Sequence, residues 1–97
     1  MGHHGAMKRV HVIVRGGVQG VGYRWTARLT AGEVGVSGWI RNRADGSVEA
    51  EVEGDPARVD EMLAWMAEGP PGASVDGAEV TELPPAGGST FDVLPTA

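Results

Sequence analysis

From Lys8 the chain alternates polar and apolar residues, with Val10, Val12 and Val14 at period two. That pattern predicts a strand over Lys8 to Arg15 with one buried face. A glycine-rich stretch, Gly16 to Gly22 (GGVQGVG), interrupts it. The period then changes. Ala27, Ala31 and Val34 recur at helical spacing through Tyr23 to Val34, and Gly35 stands where a helix takes its C-terminal cap. Gly32 within this helix costs about 1 kcal/mol relative to alanine. Val36 to Arg43 and Ser47 to Glu53 read as two more strands, the latter with Val48, Ala50 and Val52 on one face. Ala44, Asp45 and Gly46 supply the hairpin turn between them.

The second half repeats the plan. Asp55 can cap a helix with Pro56 in its first position, where a missing N–H does no harm. Val59, Met62, Leu63 and Met66 form its apolar stripe, and Gly69, Pro70, Pro71 and Gly72 end it. Val75 to Leu83 reads as a fourth strand, Pro84 to Ser89 as a loop and Thr90 to Leu94 as a short last strand. The order β-α-β-β-α-β with a terminal strand predicts a ferredoxin-like α/β (α+β) sandwich, with helices on one face of a mostly antiparallel sheet. Residues 8–97 form its single domain, and residues 1–7 (MGHHGAM) read as a flexible leader or a cloning remnant.

This topology makes the first and second strands parallel, with the third inserted between them, so their C-terminal ends share one edge of the sheet. Arg24 follows the first strand and its glycine loop, and Asn42 lies near the end of the second. Two strand spacings separate these ends, roughly 10 Å, which a loop and an extended arginine side chain can bridge. A fold that hosts many activities leaves the function to such a site.

Composition narrows the options. The 97 residues are 41% hydrophobic and 22% charged, enough apolar surface for one core and too little charge for a disordered chain. With no cysteine, disulfides, thiolate metal sites and a cysteine nucleophile are excluded. No apolar run approaches the ~20 residues of a membrane span, so a cytoplasmic domain is expected. The net charge of −5 is unevenly spread: residues 1–43 carry seven of the eight Lys and Arg against Glu33, and residues 44–97 carry Arg58 against the other twelve acids. A cationic half in an acidic protein suggests a local anion site, and it equally describes ordinary surface charge with an uneven distribution.

The loop fits the first reading. Gly16, Gly17, Gly20 and Gly22 allow successive N–H groups to turn inward, and a helix start at Tyr23 adds unpaired donors and the positive end of its dipole. Arg24, in the first turn, offers a planar fork matched to phosphate. A plain strand-to-helix connector with a solvated arginine would have the same composition. The loop matches neither the Walker pattern, since Tyr23 and Arg24 follow Gly22, nor the dinucleotide fingerprint, since Trp25 occupies the place of the last glycine.

GGVQGVGYR, Gly16 to Arg24, resembles the signature of the acylphosphatase family, and GWIRNRADGSVE, Gly38 to Glu49, resembles its second signature at the expected separation. The similarity in layout runs from about Lys8 to Leu94. Gly17 departs from it, standing where a longer side chain is common. The resemblance implies a ferredoxin-like fold and hydrolysis of acyl phosphates to carboxylate and inorganic phosphate. It places phosphate binding on Arg24 and the amides of Val18, Gln19, Gly20, Val21, Gly22 and Tyr23, and orientation of the attacking water on Asn42. Without that match, Asn42 would read as a residue leading into a tight turn.

The expected chemistry needs no cofactor. A carboxylate leaves readily, so no general acid is required, and phosphoryl transfer rests on positioning and charge stabilisation. His3 and His4 fall in the leader and His11 on a strand, so a histidine metal site is not expected. Glu49, Glu51 and Glu53 alternate along one strand and read as a solvated sheet face. Trp25, Trp39 and Trp65 read as packing or rim residues, and no stretch matches an aromatic RNA-binding signature. The expectation is a monomeric, metal-independent acylphosphatase acting on a small-molecule substrate, with no nucleic-acid or membrane partner. The alternative is a non-catalytic phosphate-binding or regulatory module on the same fold.

Overall fold

The computed structural model describes residues 6–97. Most of the leader expected over residues 1–7, with His3 and His4, therefore lies outside the described residues. The elements are β1 (Lys8–Gly17), α1 (Tyr23–Val34), β2 (Ser37–Asn42), β3 (Val48–Gly54), α2 (Pro56–Glu68), β4 (Ser74–Leu83) and β5 (Phe91–Val93). The sheet order is β4-β1-β3-β2-β5, with β5 parallel to β2 and the other neighbours antiparallel. β1 and β2 therefore run the same way with β3 between them, as the expected topology requires.

The period-two valines set the register. Val10, Val12 and Val14 lie opposite Val52, Ala50 and Val48, so one face of the central strands is continuously apolar. Tyr23, Ala27 and Ala31 of α1 and Val59, Met62 and Met66 of α2 bury themselves on that face. Val34 and Leu63, also expected in the stripes, pack at its margin.

Boundaries shift for local reasons. Gly35 (φ 90°) and Val36 both donate to the Ala31 carbonyl, closing the α1 C-terminus, and this delays β2 to Ser37. β1 runs two residues past Arg15, through a bulge between Arg15 and Gly16 that keeps Gly16 and Gly17 paired with β4. A Cβ on Gly16 (φ 127°) would overlap the Ser74 carbonyl oxygen, so only glycine fits there. Gly32, by contrast, is exposed, helical and has open space where a Cβ would stand. Gly32→Ala is therefore expected to stabilise the fold by about 0.5–1 kcal/mol, raising Tm by roughly 2–8 °C in thermal unfolding. An unchanged or lower Tm would contradict this.

The outer sheet face departs from the solvated surface expected of Glu49, Glu51 and Glu53. Glu53 is 4% exposed, and Arg9 bonds it at 2.8 Å and Glu51 at 2.7 Å. The Pro84–Ser89 loop folds across this end of the sheet, and the Ala86 and Gly87 amides donate to the Glu53 carboxylate. Glu49 meets His11 at 2.7 Å and Arg41 at 2.8 Å. These contacts have a pH signature. The Ala86 amide, with Arg9 and Gly87 and against the opposing effect of burial, holds the Glu53 carboxyl below the usual range. A carboxylate depressed in the folded state contributes fully above its unfolded value, about 4.3, and that contribution is lost as pH falls through the folded value. Tm is expected to fall with acidification below about pH 4, and less steeply for Glu53→Gln. Equal acid slopes in the two proteins would contradict a paired Glu53.

Candidate active site

The site grows out of the β1–α1 connection. After the bulge, Val18 turns its side chain into the core (1% exposed), and its N–H closes a tight turn on the Gly16 carbonyl at 3.0 Å. Gln19 follows, and its carboxamide donates to the main-chain oxygens of Arg43 and Ser47, each at 2.8 Å. That pair closes the β2–β3 hairpin, so Gln19 ties the loop to the end of β2. Gly20 (φ 75°) and Gly22 (φ 77°) then take left-handed conformations, and Gly22 is the N-cap of α1. An αL cap favours glycine, and glycine brings no side chain to occupy the helix amides.

The consequence is electrostatic. The first backbone bond of α1 runs from Thr26 N–H to the Gly22 carbonyl, and among the described residues the amides of Gln19 to Trp25 meet no protein acceptor. No acidic residue sits in the first turn and no side chain caps it, so the positive end of the helix is unneutralised. Arg24 adds a full charge there. It is half-buried and, among the described residues, makes neither an ion pair nor a side-chain hydrogen bond.

Asn42 arrives from the sheet as the last residue of β2, opposite Val48 of β3, and its main-chain oxygen accepts from Ala97 N–H at 3.0 Å. Its Oδ1 is buried without a hydrogen-bond partner among the described residues. A buried acceptor left unpaired costs about 1–3 kcal/mol, and such a group at a cavity wall marks a place for a water or ligand.

Arg24 and Asn42 border one cavity of about 170 Å³, together with Val18, Gly20, Gly22, Tyr23, Trp25 and Val93. At about 30 Å³ per water, it has room for roughly six waters, enough for a phosphoryl group and a nucleophile. Gln19 and Val21 are not on its wall, although their amides are free. The expected amide donor at Val18 needs correction: its N–H is committed to Gly16, and Val18 borders the cavity with its side chain turned into the core. Tyr23 offers its amide only, because its hydroxyl donates to the Met66 carbonyl at 2.7 Å and burial pushes its pKa up. Val93 was not anticipated. β5 is three residues long, and only its parallel register, Ile40 opposite Val93, brings that side chain to the site.

A larger open groove of about 700 Å³ lies at the opposite end of the sheet and includes Arg28, Glu53, Asp55, Arg58 and Asp92. It is poorly suited to an anion. It sits at the carbonyl end of α1, where Arg58 already donates to the Val34 carbonyl at 2.7 Å, and three carboxylates border it.

The family model described as acylphosphatase matches residues 10–93, a span that holds the loop, Arg24, Asn42 and Val93. The chain belongs to the acylphosphatase family. It is 53% identical over 89 residues to an acylphosphatase of Methylococcus capsulatus, covering 91% of this chain and 97% of that one. Identity to an acylphosphatase of a Synechococcus strain is 50% over 88 residues, covering 91% and 94% of the two chains. Among solved structures, an acylphosphatase from Coxiella burnetii superposes with a TM-score of 0.88 at 33% identity, covering 93% of this chain and 95% of that one. The acylphosphatase fold is thus shared along nearly the whole described chain.

Proposed function

We infer that this protein hydrolyses acyl phosphates to a carboxylate and inorganic phosphate, as a member of the acylphosphatase family. Within that activity, the observation that carries the assignment of roles is the meeting at one cavity of loop amides, Arg24 and Asn42 Oδ1, none of them partnered among the described residues. The amides of Gly20, Gly22, Tyr23 and Arg24 receive the phosphoryl oxygens, and the Arg24 guanidinium pairs with two of them. As charge shifts over these oxygens in the transition state, donors already fixed in place stabilise it without reorganising.

Asn42 Oδ1 accepts a hydrogen bond from a water and holds its oxygen toward phosphorus. The water oxygen forms the new P–O bond, and the bond from phosphorus to the bridging oxygen breaks with its electron pair leaving on the carboxylate. The water proton passes to a phosphoryl oxygen, since an amide is too weak a base to keep it. The carboxylate is a good leaving group, so the missing general acid is no handicap.

We also propose that catalysis is metal-independent and proceeds in a monomer: the free loop amides and the Arg24 guanidinium supply the positive charge that a metal would otherwise bring to the phosphoryl oxygens. No helix of the described residues is long and apolar enough to cross a membrane. A cytoplasmic location accords with a sequence that has no cysteine for the disulfides common in small exported domains. Phosphate release from benzoyl phosphate, measured with excess EDTA, tests the proposal. Full turnover under chelation is expected. Loss with EDTA and recovery with magnesium would overturn the metal-free mechanism, and phosphate binding without turnover would make the protein a binding module.

A further inference from the structure

The small cavity has two chemically different walls. One part of its lining is the anion-receiving group just described, and the side chains of Val93 and Trp25 add an apolar part. Trp25 is unusual among the three tryptophans. Trp65 packs on Tyr23 with ring centroids 5.4 Å apart, and Trp39 lies under Arg41, whereas Trp25 is 60% exposed at the edge of the cavity. Its ring is held from its own helix: the Arg28 guanidinium, one turn later, stands 5.3 Å from the ring centroid. A large aromatic face is thus oriented and left open within one residue of Arg24.

An acyl phosphate has the same two-part character. Its phosphoryl group and acyl carbon share a single bridging oxygen, so whatever binds the first determines where the second can lie. With the phosphoryl group on the amides and Arg24, the acyl group extends from the same small cavity. Trp25 enters from the helix layer and Asn42 from the sheet, so the acyl group and the attacking water do not compete for one wall.

We propose that Trp25, beside Val93, is the residue that contacts the acyl group and lowers KM for acyl phosphates with aromatic acyl groups relative to short ones. The proposal rests on the hydrolase reading above and adds the residue that sets acyl selectivity. An aromatic acyl group stacking on Trp25 gains about 0.5–1.5 kcal/mol beyond area burial, a factor of roughly 3–10 in affinity. An acetyl group has no ring to stack and too little surface to cover the indole.

The test compares benzoyl phosphate with acetyl phosphate for the wild-type protein, Trp25→Ala and Trp25→Phe. In the wild type, kcat/KM should favour benzoyl phosphate. In Trp25→Ala the ratio of the benzoyl KM to the acetyl KM should rise roughly 3- to 10-fold, and Trp25→Phe should restore most of it. A merely structural role would move both substrates in parallel, and parallel changes, or an unchanged ratio, would overturn the subsite. A wild-type protein that hydrolyses neither substrate would instead overturn the hydrolase reading, and the subsite with it.

Discussion

Arg24→Lys is expected to lower kcat/KM by about 100- to 1,000-fold, the effect of removing one preorganised donor from a developing oxyanion. Lysine keeps the positive charge at the start of α1 but loses the planar fork that meets two oxygens together. Its ammonium also has no fixed direction at the end of a flexible stem. Inorganic phosphate should bind more weakly as well, by about 10-fold or more, the worth of one charge-assisted hydrogen bond. Stability should barely move, within roughly 0.5 kcal/mol, because Arg24 makes no ion pair or side-chain hydrogen bond with the described residues. Steady-state kinetics, phosphate titration and thermal unfolding check the three statements. A variant with near wild-type kcat/KM would show that a point charge is enough.

Asn42→Ala separates chemistry from binding. The loop amides and Arg24 remain, so phosphate affinity should change by well under tenfold. The rate should fall on the order of 100-fold, because the nucleophile is no longer held in line. The structure adds a second expectation: Asn42 Oδ1 accepts no hydrogen bond from the described residues. Its loss breaks no contact of that atom within the fold, so stability should change by no more than about 1 kcal/mol. Lower activity with nearly unchanged stability is the mark of a residue kept for catalysis. Asn42→Asp should also be impaired, through repulsion between its carboxylate and an anionic substrate, although a carboxylate is the stronger base. A folded Asn42→Ala protein with wild-type kcat would leave Asn42 only its place before the hairpin turn, where its main-chain oxygen accepts from Ala97.

The elements legible in the sequence are those written by side-chain periodicity. Val10, Val12 and Val14 announced a half-buried strand, and their partners Val52, Ala50 and Val48 announced the neighbour across the ladder. Topology then brought Arg24 and Asn42 to one edge, and both border the same cavity. What was not legible depends on main-chain bonds and on partners distant in sequence. The use of the Val18 amide within a turn follows from the bulge at Arg15 and Gly16, which is set by pairing with β4. Gln19 reads as one more loop residue until the hairpin carbonyls of Arg43 and Ser47 stand beside it. Glu53 looked solvated because the loop that buries it lies more than thirty residues downstream, and its grip is through the amides of Ala86 and Gly87. Neither amide carries a side-chain signal.

The central claim is that the loop and the first turn of α1 receive the phosphoryl group beside Arg24. Titration of the protein with inorganic phosphate, followed through its assigned amide resonances, tests it most directly. The account predicts shifts concentrated in Gly20, Gly22, Tyr23 and Arg24, saturating together with a dissociation constant equal to the constant for competitive inhibition by phosphate. Shifts centred on the groove around Arg28 and Arg58, with Gly20 to Arg24 unmoved, would contradict it.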